Sequence, residues 1–218
     1  MNELKSFTTS PPKPLPVFIL TDVSGSMAAE AKIDVLNQAM ADMINSFGEV
    51  RDVRAEIQVC VITFGGTCAT LHTPLTPARS VAWVDMNASG FTPMGDAFAV
   101  ITELMEDKKT VSSKSYRPVV VLLSDGEPTD DWKVELQKMN ASRASKVERM
   151  ALAIGRDADR TTLLEFVNQD RERLFEAVEA AKIRDFFKFV TMSVTARSRS
   201  ANPNMLIKPR DVFQLEDF

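Results

Sequence analysis

The chain has 218 residues, 44% of them apolar and 26% charged, with a formal net charge of −4. That is the composition of one domain able to bury its own core. It does not suit a disordered chain, a coiled coil, or a binder of nucleic acid or anionic membranes, which needs clustered basic residues. The cysteines, Cys60 and Cys68, and the single histidine, His72, also exclude a disulfide scaffold, a four-cysteine zinc site and a Ser-His-Asp triad with a spare base.

Residues 1–14 read as an extended leader stiffened by Pro11, Pro12 and Pro14. The leader holds no apolar run of signal-peptide length, and no run of about 18 apolar residues occurs anywhere. The expected location is therefore the cytoplasm, with both thiols reduced. Residues 15–200 are expected to form the folded domain. Val17-Phe18-Ile19-Leu20, ending in Thr21-Asp22, has the look of a strand buried on both faces of a parallel sheet. Ile33, Leu36, Met40, Met43, Ile44 and Phe47 then share one helical face, and Gly48 stops that helix.

Strands are expected over 56–64 and 67–72, joined by Gly65-Gly66 as a hairpin turn. That register sets Phe64 opposite Thr67, Thr63 opposite Cys68 and Cys60 opposite Leu71, so the cysteines are not partners. Cys60 reads as core packing, and His72 as a surface residue of an antiparallel edge strand. Gly90-Phe91-Thr92-Pro93-Met94-Gly95 is a loop that opens a helix marked by Ala97, Ile101, Leu104 and Met105.

The second buried-strand run is Val119-Val120-Val121-Leu122-Leu123, ending in Ser124-Asp125. Asp130 is placed to cap a helix running towards Lys146. A strand over 150–154, a short helix over 161–168 and a weak strand over 173–175 follow. Ile183, Phe186, Phe187, Val190 and Val194 mark a last helix. Residues 201–218 form a tail, for which docking on the body and disorder fit equally. Strands alternating with helices give an α/β class: a Rossmann-like, doubly wound, mainly parallel central sheet with one antiparallel edge strand and helices on both faces.

In such a sheet, ligands sit at the carboxyl ends of the strands. Three loops lie there and bring Asp22, Ser24 and Ser26, then Thr92, then Asp125. Two carboxylates and three hydroxyls are hard oxygen donors, suited to Mg²⁺ or Mn²⁺ rather than zinc. Two carboxylates only just neutralise a divalent ion, so the ion stays electrophilic towards a further carboxylate or phosphate. Taken singly, Asp22-Ser24-Ser26 could be a polar turn bonded to its own backbone, Thr92 a helix cap and Asp125 a turn residue. Their combination favours a metal site.

Asp22-x-Ser24-x-Ser26, Thr92 before Pro93, and Asp125-Gly126 resemble the metal-ion-dependent adhesion site of von Willebrand factor A domains. The resemblance covers about Leu15 to Ala196. It implies direct coordination by Ser24, Ser26 and Thr92, with Asp22 and Asp125 acting largely through bound water, or directly in one of two site conformations. The run Phe18-Ile19-Leu20-Thr21-Asp22-Val23-Ser24-Gly25-Ser26-Met27 is also similar to bacterial tellurium-resistance TerY-type proteins. That likeness implies a stress-resistance or defence setting, with a Ser/Thr protein kinase and a PP2C-like phosphatase as partners.

Met27, Phe91 and Met94, beside the proposed ion, and Glu127 are expected to form a partner-binding rim, with Trp132 a weaker candidate. Glu127, Asp130 and Asp131 also read simply as capping and solvating residues. The leading function is a non-enzymatic module that binds a partner's acidic or phosphate group through Mg²⁺ or Mn²⁺. The three loops hold no general base beyond the metal carboxylates. One alternative is a Mg²⁺-dependent phosphatase-like hydrolase with Asp22 as nucleophile. Its pattern asks for an acid where Ser24 stands and for a lysine that no matching loop supplies. Another is a subunit docking on a separate ATPase, since the chain has no phosphate-binding loop of its own.

Overall fold

A computed structural model describes residues 11–205. Most of the expected leader, 1–10, and most of the expected tail, 206–218, lie outside the described residues. The elements in chain order are β1 (Lys13–Asp22), α1 (Lys32–Glu49), β2 (Ala55–Gly65), β3 (Cys68–Pro77), α2 (Met94–Glu106), β4 (Val119–Ser124), α3 (Trp132–Ala141), β5 (Glu148–Ile154), α4 (Arg160–Phe166), β6 (Leu174–Ala177) and α5 (Ala180–Arg199). The sheet order is β3-β2-β1-β4-β5-β6. Among the described residues, only the β2–β3 pairing is antiparallel. The expected α/β class and edge strand are what the chain adopts.

Alternation along the strands divides the core. Leu15, Val17 and Ile19 of β1 pack with Leu36, Met40 and Met43 of α1 and Phe187 and Val190 of α5. Phe18 and Leu20 face the other way, onto Ala97, Phe98 and Ile101 of α2, Met139 of α3 and Phe166 of α4. A strand fully covered on both sides reads as a continuous apolar run, which is why β1 and β4 were visible in the sequence.

Three local expectations need correction. First, β1 starts at Lys13, inside the expected leader. β4 pairs with β1 only from Val17, so Pro14 and Pro16 have β2 on one side alone. A proline without an N–H is tolerated on such a half-edge.

Second, the hairpin register is shifted. Gly65 pairs with Cys68, Phe64 with Ala69 and Ile62 with Leu71, so the loop is Gly66-Thr67. Gly66 holds φ at +60°, while a Cβ on Gly65 would meet the Val23 carbonyl oxygen at 2.6 Å. Gly66 thus supplies the turn, and Gly65 supplies close approach to the end of β1.

Third, Asp130 does not cap the helix that follows it. Its carboxylate accepts from the backbone N–H groups of Gly95 and Asp96, both at 2.9 Å, and so caps α2. The helix after it ends at Ala141, where Ser142 turns extended and its hydroxyl accepts from Ala144 N–H to start a separate short turn.

Both cysteines are free, Cys60 buried and Cys68 exposed. Burial pushes the Cys60 thiol up to about 12. A maleimide at neutral pH should therefore modify Cys68 alone in the native protein, and Cys60 only after denaturation. Mass spectrometry of labelled peptides checks this, and native labelling of Cys60 would contradict the packing. No described helix is long and apolar enough to cross a membrane.

Candidate metal centre

β1 lies between β2 and β4, so the chain leaves it in one direction and reaches β4 in the other. The crevice at the carboxyl ends of β1 and β4 is the point where strand order reverses. Asp22 is the last residue of β1 and Ser124 the last of β4.

The Asp22 carboxylate is held on both sides. Oδ1 accepts the Ser24 backbone N–H at 2.8 Å and Oδ2 accepts the Ser124 hydroxyl at 2.6 Å. The Ser24 and Ser26 hydroxyls lie 3.0 Å apart, and Ser26 donates to Asp125 Oδ1 at 2.6 Å. Asp22, Ser24, Ser26 and Asp125 therefore form one connected group of oxygens.

Thr92 belongs to the neighbouring loop. Gly25 N–H donates to the Gly90 carbonyl at 3.0 Å, tying the two loops together. The Thr92 backbone is clamped by Thr129, whose hydroxyl accepts from Thr92 N–H at 3.2 Å and whose N–H donates to the Thr92 carbonyl at 3.0 Å. Among the described residues, no hydrogen bond joins the Thr92 hydroxyl to the other four side chains.

Asp22, Ser24, Thr92 and Asp125 are buried, while Gly25 and Ser26 face solvent. Burial pushes the Asp22 carboxyl above its ordinary range. Hydrogen bonds from Ser124 and Ser24 oppose that shift, and the nearby Asp125 charge adds to it. No lysine or arginine among the described residues pairs with Asp22. Asp125 pairs with the ammonium of Lys32, whose Nζ lies 2.8 Å from Oδ2. One ammonium, on Asp125, thus stands against two buried carboxylates, a deficit of positive charge that a cation would relieve. The donor set of hydroxyls and carboxylates fits a hard divalent ion. No group of three or more His, Cys, Asp or Glu placed to hold a metal ion occurs among the described residues, so serine and threonine oxygens must complete any such site.

Lys32 escaped the sequence reading, which found no lysine for this region. It is the first residue of α1, at the positive end of the helix dipole, where a cation is disfavoured. That misplacement is the sequence signal that could have found it. Glu30 and Ala31 before it both have φ at 54°, a left-handed pair costing about 1–2 kcal/mol per residue. Ser124 and Thr129, which hold Asp22 and Thr92, have no role in the sequence-based reading of the site.

The rim is half of what was expected. Phe91 is 65% exposed, and Glu127 is exposed beside Gly126. Met27 and Met94 have no exposure at all. Met27 packs into the core beneath α1 and α5, and Met94 starts α2 with its side chain in the opposite core. Their loops are surface loops, but each methionine is the anchor that fastens its loop down. Trp132 is half-buried with Lys133 over its ring. Nor does Asp22 suit a nucleophile: it is buried and both oxygens are engaged.

The family model described as von Willebrand factor type A domain matches residues 17–189. No curated protein sequence matches. Several solved structures are similar in fold. A von Willebrand factor type A protein from Catenulispora acidiphila aligns with TM-score 0.66 and 20% identity, over 84% of this chain and 42% of that one. Proximal thread matrix protein 1 from the mussel byssus, solved with zinc in its MIDAS motif, aligns with TM-score 0.60 and 18% identity, over 83% and 45%. Manganese-loaded TRAP protein of Plasmodium vivax aligns with TM-score 0.59 and 16% identity, over 79% and 71%. The chain spans about half the length of the first two.

Proposed function

The chain belongs to the von Willebrand factor type A domain family, and on that premise we propose that it is a non-enzymatic, metal-dependent protein-binding module. The observation that carries this reading is the pair of buried carboxylates, Asp22 and Asp125, at the switch point with a single ammonium, on Asp125, to balance them. The residues that would hold a divalent ion of the Mg²⁺ or Mn²⁺ class are Ser24, Ser26 and Thr92, with Asp22 and Asp125 supplying the charge. Zinc- and manganese-occupied relatives support a divalent ion without choosing among them. When bound, the ion offers a coordination point for an oxygen anion.

This chain's residues define what approaches that point. Asp22 and Asp125 bring −2 to a +2 ion, so the centre is neutral and a partner's carboxylate or phosphate can approach the ion without net repulsion. Phe91 offers apolar contact beside it, and Glu127 a charge that would select against an unbalanced acidic surface. Ser124 fixes Asp22 and Thr129 fixes Thr92, so these residues need little reordering on binding. The resemblance to TerY-type proteins makes a Ser/Thr kinase and a PP2C-like phosphatase our candidate partners, in a cytoplasmic bacterial system.

Calorimetry with MnCl₂ and MgCl₂ tests the centre. The unmodified protein should bind one ion, Asp22→Ala none, and Thr92→Ala should bind about tenfold more weakly with the fold intact. Equal binding by all three sinks the assignment. A pull-down with metal or with chelator should then recover a partner only with metal and only with Thr92 present. Recovery in every condition would place the contact on another surface. A recovered ring ATPase would favour the docking-subunit alternative.

A further inference from the structure

The geometry points to Lys32 as the resident counter-ion of this centre: its ammonium and a divalent cation are alternatives at Asp125, and metal entry requires Lys32 to swing out. This role rests on the metal-site reading above. With Lys32 in place both oxygens of Asp125 are engaged. Asp125 accepts Lys32 Nζ on Oδ2 at 2.8 Å and Ser26 on Oδ1 at 2.6 Å. Ser26 is itself a proposed ligand, and its hydroxyl is directed at Asp125. A divalent ion together with the ammonium would set +3 against the −2 of Asp22 and Asp125 in a largely buried space. Like charges that close exclude one another.

The position is built for a lysine head. The side chain is 17% exposed, and a Cβ on Gly155, in the loop after β5, would lie 3.4 Å from Nζ and 3.7 Å from Cε. Gly155 thus leaves room for the ammonium where a larger residue would crowd it. The helix dipole opposes a cation at the first position of α1. Asp125 is the group that holds Lys32 in. Once Asp125 is neutralised by another cation, dipole and ion both repel the ammonium, and its flexible four-carbon stem can carry it to solvent without backbone movement.

Two measurements test this, with Mn²⁺ as the probe. Lys32→Met keeps the length of the stem and removes the charge, and it should bind Mn²⁺ about tenfold or more tighter than the unmodified protein by calorimetry. In the unmodified protein, labelling of Lys32 by an amine-reactive ester, read by peptide mass spectrometry, should rise severalfold at saturating Mn²⁺. In Asp22→Ala, Mn²⁺ should leave that labelling unchanged. Binding by Lys32→Met alone would support the role in its strongest form. Equal affinity of both proteins, with Lys32 labelling indifferent to Mn²⁺, overturns it and leaves the metal centre standing. No binding by either protein removes the metal reading, and the role of Lys32 with it.

Discussion

Glu148→Ala should destabilise the fold by about 3–5 kcal/mol, the cost of leaving a buried charge without its partner. Glu148 opens β5, and its two oxygens meet Arg173 at 2.9 Å and Arg197 at 2.8 Å. The Glu148 and Arg197 side chains are each 1% exposed. Arg197 also donates to the carbonyls of Pro203 and Arg117, fastening the end of α5 to the segment that enters β4. Burial already pulls the Arg197 guanidinium below its ordinary range, with the Glu148 charge opposing that shift. Removing Glu148 removes the opposition. Urea denaturation of the variant measures the loss, and a value within about 1 kcal/mol of the unmodified protein would mean that the pair is hydrated. Glu148→Met combined with Arg197→Met should recover part of the stability, because it removes the two most deeply buried charges and leaves Arg173 with Asp170 as its partner. The network sits where β5 begins, at the sheet end opposite Asp22, so metal affinity of the folded fraction should not change.

That network was invisible in the sequence, whereas the strands it braces were plain. β1 and β4 announce themselves because both faces are covered and every side chain must be apolar. The five oxygen residues were legible for a different reason: topology brings the ends of β1 and β4 together, and short loops leave little freedom about where Asp22 and Asp125 go. What failed to show was any contact made across the fold by a residue with an ordinary local role. Asp130 looks like the cap of the next helix, but α2 lies alongside and takes the carboxylate. Met27 and Met94 look like loop apolar residues at a rim, but each turns inward to hold its loop. Lys32 looks like a polar first residue of α1, and only the approach of α1 to the end of β4 reveals its partner. In each case spacing along the chain gives the residue's local role, and a non-local contact decides its use.

Gly90→Val should damage both stability and the metal centre, and it tests how the hairpin tip supports the site. Gly90 has φ at +70°, a conformation strained for any β-branched residue. A Cβ there would lie 2.4 Å from Gly66 Cα and 2.9 Å from Gly66 N and O, all backbone atoms that cannot rotate away. The two glycines form an isolated bridge between the β2–β3 hairpin and the loop that carries Thr92. Around it, Gly66 N–H donates to Ser89, Phe91 N–H to Gly66, Ser89 N–H to Val23 and Gly25 N–H to Gly90. Pushing Gly90 away therefore strains the exit of β1, the hairpin tip and the Thr92 loop together. Backbone strain plus overpacking should lower the unfolding free energy by about 2–4 kcal/mol. Metal binding should weaken by more than tenfold even in the folded fraction, because Thr92 leaves the position that Thr129 and Gly25 define. Gly126→Ala is the matched control: it lies beside Asp125, but a Cβ there meets nothing within 4 Å. Calorimetry and denaturation on both variants decide the matter. If Gly90→Val binds metal as the unmodified protein does, the Gly66–Gly90 contact does not position the centre, and the Thr92 loop must be held from the Thr129 side alone.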